Sequence, residues 1–180
     1  MTADPITLLL ALMPWLGLAV FSGYLAAAAL GDVQHFIIKD RLNLFGFVAF
    51  VVLALPMGLS LGEWGVHMGV GLAVAALAIG AFALGAFGGG DAKMIAAMGF
   101  WLGPPALLTF FIVTTLAGGV LSLVLLAGRF AARRFGLPRR PRWLRKIMRR
   151  GSGVPYGVAL AVGGLVAAPL TAWYPQSSPF

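Results

Sequence analysis

The sequence carries five acidic side chains, Asp4, Asp32, Asp40, Glu63 and Asp91, and two of them border long apolar runs. Asp32 follows a run over 6–30 and is trailed by Phe36-Ile37-Ile38; Asp91 is preceded by Gly88-Gly89-Gly90. Ionisable residues at the edge of a membrane span are expensive and are usually functional. Two carboxylates held close together in a poorly solvated place cannot both ionise cheaply, so the pair shares a proton. One acid can then activate water while the other polarises a carbonyl, which is how paired aspartates hydrolyse an amide. Gly88 and Gly90 fit that chemistry, because residues without side chains let a substrate backbone approach the carboxylate. Each acid also has a plain structural reading: Asp32 as a solvated loop acid or a cap, Asp91 as the N-cap of the helix after it. Asp40 lies between Lys39 and Arg41 and reads as part of a solvated charge cluster. His35 and His67 show no metal-ligand spacing, and the absence of cysteine removes thiolate zinc sites and disulfides. No metal or cofactor is predicted.

The elements that would position these acids follow from composition. Of 180 residues, 61% are hydrophobic and only 10% charged, too little polar surface to cover a soluble globule, which carries about 25% charged residues. The expected class is an all-α integral membrane protein, residues 1–180 forming one polytopic domain of about six transmembrane helices. A span needs roughly 20 apolar residues. The runs predict spans over 6–30, 44–61, 64 to about 87, 92–102, 106–127 and 154–174, with Glu63 in a short turn. The fourth is short or kinked, because Gly103-Pro104-Pro105 breaks a helix. Helices are preferred over a barrel because the runs are continuous and do not alternate. The first run follows only one charged residue, Asp4, and is too long for a signal-peptide core; it reads as a retained span.

Ten of the thirteen basic residues lie between Arg129 and Arg150, within a loop over 128–153. Positive charge stays on the cytoplasmic side, so this loop is expected to be cytoplasmic. Parity then places both termini outside and puts Asp32 and Asp91 at the cytoplasmic face, with Lys39, Arg41 and Lys93 beside them. Inside the loop, Trp143, Leu144, Ile147 and Met148 fall opposite Arg142, Arg145, Lys146, Arg149 and Arg150. That spacing predicts an interfacial helix on anionic lipid. A short juxtamembrane loop offers no nucleic-acid-reading fold. Gly118-Gly119 and Gly163-Gly164 read as helix-packing surfaces, and Pro155 suits the first turn of the last span.

Gly88-Gly89-Gly90-Asp91-Ala92-Lys93 resembles the Gly-X-Gly-Asp-X-Lys signature of type IV prepilin peptidases. Asp32-Val33-Gln34-His35-Phe36-Ile37-Ile38 resembles that family's first-aspartate motif, and Val154-Pro155-Tyr156-Gly157 is similar to the Pro-Tyr-Gly segment opening its last span. The resemblance implies an intramembrane aspartyl endopeptidase with Asp32 and Asp91 catalytic, and Lys93, Pro155, Tyr156 and Gly157 in supporting positions. It also implies a prepilin or pseudopilin substrate cut at the cytoplasmic border of a bacterial inner membrane. The chain's length and lack of cysteine resemble the compact form of Flp/Tad-type pili, so no N-methyltransferase activity is inferred. In one place the chain departs from the family pattern: Ile38 precedes Lys39-Asp40 where the motif usually continues Pro-Asn. Two other readings use the same residues differently. A small transporter would employ the two aspartates as an ion relay, and a non-enzymatic pilus or secretion assembly subunit would need neither.

Overall fold

The computed structural model describes residues 5–86, 88–136, 142–149 and 152–175. Asp4, part of the basic loop and the last five residues of the tail therefore lie outside the described residues. The protein is an all-α membrane protein, with six helices among the described residues: α1 (Pro5–His35), α2 (Asp40–Leu53), α3 (Leu61–Ala83), α4 (Gly89–Phe135), α5 (Arg142–Met148) and α6 (Tyr156–Ala167). A 3-10 turn, Ala168–Leu170, extends α6. By length and composition three segments can each cross a membrane: Leu8–His35, Leu61–Ala83 and Gly89–Phe135.

Several boundaries differ from the hydropathy reading. α1 continues to His35, so Asp32 lies in its last turn and not in a loop beyond it. α2 begins at Asp40 and stops at Leu53, four residues earlier and eight residues short of the expected 44–61. Its polar start is helical because Asn43 is buried with both amide groups bonded, and its apolar end is a turn in which Gly58 holds φ 101°. Glu63 is not in a turn; it is the third residue of α3, in a capping box with Ser60, whose Oγ accepts from the Glu63 amide at 3.2 Å. The pattern Ser-Leu-Gly-Glu signalled this start.

The break in α4 falls where the glycine and prolines require it. Gly103 holds φ 62°, ψ −178°, a region essentially restricted to glycine. A Cβ there would also lie 2.6 Å from His67 Nε2. Pro104 and Pro105 have no amide hydrogen, so the carbonyls four residues earlier, Phe100 and Trp101, lose their helical partners. Side chains replace them. His67 Nδ1 lies 2.7 Å from the Phe100 oxygen, and Trp173 Nε1 donates to the Trp101 oxygen at 2.6 Å. Trp101 in turn donates to the Gly46 carbonyl at 2.7 Å. Buried His67 is thus a donor to a backbone carbonyl, stacked on Phe50 at 5.4 Å.

The core collects around this point. Phe21, Phe50 and Trp173 meet the Trp101 ring at 5.0, 5.6 and 5.4 Å. Glycines let the remaining helices close. Gly71 of α3 lies under the Phe100 ring, and a Cβ on Gly99 would come within 2.8 Å of Val74. Of the two glycine pairs expected to pack, Gly118, Gly163 and Gly164 do so, against Tyr156, Thr114 and Leu25, while Gly119 faces open space.

Removing either donor at the break leaves a buried carbonyl without a partner. Trp173→Phe and His67→Phe are each expected to lower stability by about 1–3 kcal/mol. The measurement is thermal unfolding in detergent, and an unchanged midpoint in both would show that the break needs no capping.

Candidate active site

The helix register brings the two acids to one level. α1 and the first part of α4 meet at Phe21 and Trp101. Asp32 is eleven residues further along α1, and Asp91 is ten residues back along α4. At 1.5 Å per residue these are axial distances of about 16 Å and 15 Å. The two helix ends thus reach the same level, and both aspartates line one cavity of about 320 Å³.

Asp32 is 6% exposed. Its Oδ2 accepts a 2.6 Å hydrogen bond from the Gly157 amide, at the start of α6. Gly157 is required by this approach: a Cβ would lie 2.9 Å from Asp32 Cβ and 3.0 Å from Oδ2. Pro155 is buried and is the N-cap of α6, not its first-turn residue; its ψ of 83° turns the chain so that the following amides face α1. Tyr156 is 41% exposed, and its ring covers Gly118 of α4.

Asp91 is half-buried and is the third residue of α4, not its N-cap; Gly88 holds that place. The Asp91 carboxylate lies back over Gly88, where an added Cβ would stand 3.3 Å from Oδ2. Gly88 is exposed beside it. Gly90 instead faces the chain's own loop, where a Cβ would stand 3.2 Å from Ile38 Cβ and 3.3 Å from its carbonyl oxygen. Asn43 ties these parts together: it donates to the Gly90 carbonyl at 3.3 Å and accepts from the Tyr24 hydroxyl at 2.9 Å. The sequence reading named Ile38 only within its motif and missed Tyr24 and Asn43. The available signal was a polar Asn43 just inside an apolar run.

Lys93 does not pair with Asp91. Its Nζ meets Asp40 Oδ1 at 2.7 Å, with both side chains exposed. The departure from Pro-Asn leaves the backbone as a proline would set it, since Lys39 holds φ −66°, ψ 138°. After His35 the chain reverses at Phe36, φ 58°. Here α5 docks. Lys146 donates to the His35 carbonyl at 3.0 Å and sits 5.1 Å over the Phe36 ring. Arg129 donates to the carbonyls of Ile147 at 3.0 Å and Gly153 at 2.7 Å. Ile147 is buried, while Trp143 remains 40% exposed.

Chemically, the site offers two carboxyl groups at one cavity wall, one of them oriented by a backbone amide. The other is half-buried beside the exposed Gly88. Among known proteins, no curated sequence and no solved structure matches the chain. The type IV leader peptidase family matches residues 19–123, more than half of the chain and inclusive of both aspartates. With that match over the same helices that bring Asp32 and Asp91 to one level, the chain belongs to the type IV leader peptidase family.

Proposed function

We propose that the chain is an intramembrane aspartyl endopeptidase that removes the leader of a prepilin, of the Flp-like kind, at the cytoplasmic border of the inner membrane. The observation that carries this reading is the cavity that Asp32, near the end of α1, and Asp91, near the start of α4, line together. One carboxylate, ionised, takes a proton from water; the other, protonated, donates to the scissile carbonyl oxygen. Water oxygen bonds to the carbonyl carbon. The tetrahedral diol then collapses, the C–N bond breaks, and a proton passes to the leaving nitrogen. The products are a carboxylic acid on the leader and an amine on the mature chain. Asp32 and Asp91 are the catalytic residues. Gly157 positions Asp32, Pro155 and Tyr156 shape the segment that presents it, and Gly88 leaves the approach to Asp91 open.

The substrate implied has a short basic leader before the cut and an apolar helix after it. The leader stays with water and the helix enters lipid, so the bond to be cut lies at the membrane border. The positive-inside pattern around Lys39, Arg41, Lys93 and the basic loop supports a cytoplasmic position for the pair. The exposed basic side chains of Lys146 and Arg149 suit anionic headgroups at that same border.

Four variants test the assignment on a co-expressed prepilin, read as a gel shift. Asp32→Asn and Asp91→Asn keep the shape but lose the proton chemistry, and each is expected to slow cleavage by roughly 10²- to 10⁴-fold or more with normal membrane insertion. Wild-type cleavage by either would reject the pair. Gly157→Ala pushes a methyl into Asp32, and a misplacement of about 1 Å is expected to reduce cleavage by on the order of 10²-fold. Lys93→Ala removes only an exposed ion pair, and its cleavage rate should stay within about threefold of wild type.

A further inference from the structure

α2 carries neither of the paired acids, yet it meets both helices that do. Tyr24 of α1 rests its ring over Gly46, where an added Cβ would lie 2.9 Å from Cε2. Trp101 of α4 donates to the Gly46 carbonyl. Three residues before Gly46, on the same face of α2, stands Asn43, which is 6% exposed. An amide side chain in a low-polarity interior is costly unless its groups are bonded. For packing alone, an apolar side chain would serve there.

Both groups of Asn43 are bonded, and neither bond serves its own helix. Nδ2 donates to the Gly90 carbonyl of α4 at 3.3 Å, and Oδ1 accepts from the Tyr24 hydroxyl of α1 at 2.9 Å. Chemistry fixes this orientation. A carbonyl can only accept, so the NH₂ group must face Gly90, and the oxygen is left for the tyrosine. An ionised carboxylate at this position would offer acceptors alone, and leucine would offer nothing. Asp91 follows Gly90 directly, and Asp32 lies eight residues beyond Tyr24 on α1. One buried side chain thus fastens the start of α4 to the helix that carries the other acid. Asn43 is not in the wall of the cavity that the two acids line, so it has no place among the reacting atoms.

We infer that Asn43 is a positioning residue: together with Tyr24 it holds the first turn of α4 at a set distance from α1, and so sets the spacing of Asp32 and Asp91. The inference rests on the proteolytic reading above and adds to it the device that keeps the two acids in reach of one water. A change of about 1 Å in that spacing costs rate and leaves substrate binding in place.

The test uses the full-length protein in detergent micelles, one purified prepilin, and initial rates over a range of substrate concentrations. Asn43→Leu removes both bonds. It is expected to lower kcat about tenfold or more while KM stays within about threefold of wild type, the split that marks an interaction needed in the transition state alone. Tyr24→Phe keeps the ring over Gly46 and removes one bond, so its kcat should fall less, by about threefold. Because the two residues form one chain, the double variant should be no slower than Asn43→Leu by more than about twofold. Thermal melting in detergent reports whether each variant is folded. Wild-type kcat in a folded Asn43→Leu, a loss confined to KM, or a double variant whose loss is the product of the two single losses would each overturn the positioning role. If Asn43→Leu does not fold, Tyr24→Phe decides, and wild-type kcat in that variant overturns it. Each of these outcomes leaves the proteolytic reading standing, whereas failure of the wild type to cleave the prepilin would overturn that reading and the positioning role with it.

Discussion

In hydrocarbon every backbone carbonyl and amide needs a partner within the protein, and the architecture follows from how this chain meets that demand at one place. Gly103-Pro104-Pro105 interrupts α4 and releases the carbonyls of Phe100 and Trp101. The donors that answer come from α3, through His67, and from the segment after α6, through Trp173. Two remote parts of the chain are thereby fastened to one turn of α4. Trp101, held by its own bond to Gly46, then packs on Phe21. That contact sets the register of α1 against α4, and the register decides that two acids fifty-nine residues apart reach the same level.

A second device, small residues at close approach, finishes what the register begins. Gly157 admits the Asp32 carboxylate to a backbone amide, and Gly90 admits the Ile38 backbone to the start of α4. Asn43 spans the remaining gap between α1, α2 and α4 with two hydrogen bonds. Each approach leaves no room for a methyl group or is closed by a bond. The acids are therefore held from several sides, although neither sits in the middle of a helix.

Much of this was legible in the sequence, for identifiable reasons. Continuous apolar runs gave the helical membrane class, and Gly103-Pro104-Pro105 gave the break, because both signals are local. Gly88-Gly89-Gly90-Asp91 and Asp32 stood out as polar features at the borders of apolar runs. Helix ends were less legible. In a membrane, hydropathy reports depth and not backbone conformation, so the apolar stretch after Leu53 looked helical although it turns at Gly58. For the same reason Asp40 to Asn43 looked like loop, although buried hydrogen bonds make Asn43 part of α2. The Gly157–Asp32 bond was hidden for a different reason: it joins residues 125 positions apart, and nothing nearby in sequence needs it. The ion pair of Lys93 with Asp40 was hidden in the same way, because it joins residues 53 positions apart.

The surroundings of Asp32 are assembled from opposite ends of the polypeptide. The end of its helix is closed by Phe36 in a left-handed conformation, which costs an L-residue roughly 1–2 kcal/mol, and by Lys146 reaching the His35 carbonyl from α5. Its carboxylate accepts from the Gly157 amide at 2.6 Å. A ribosome makes this acid early and its supports last. Until α6 has emerged and docked, a newly made molecule carries Asp32 without the backbone amide that orients it.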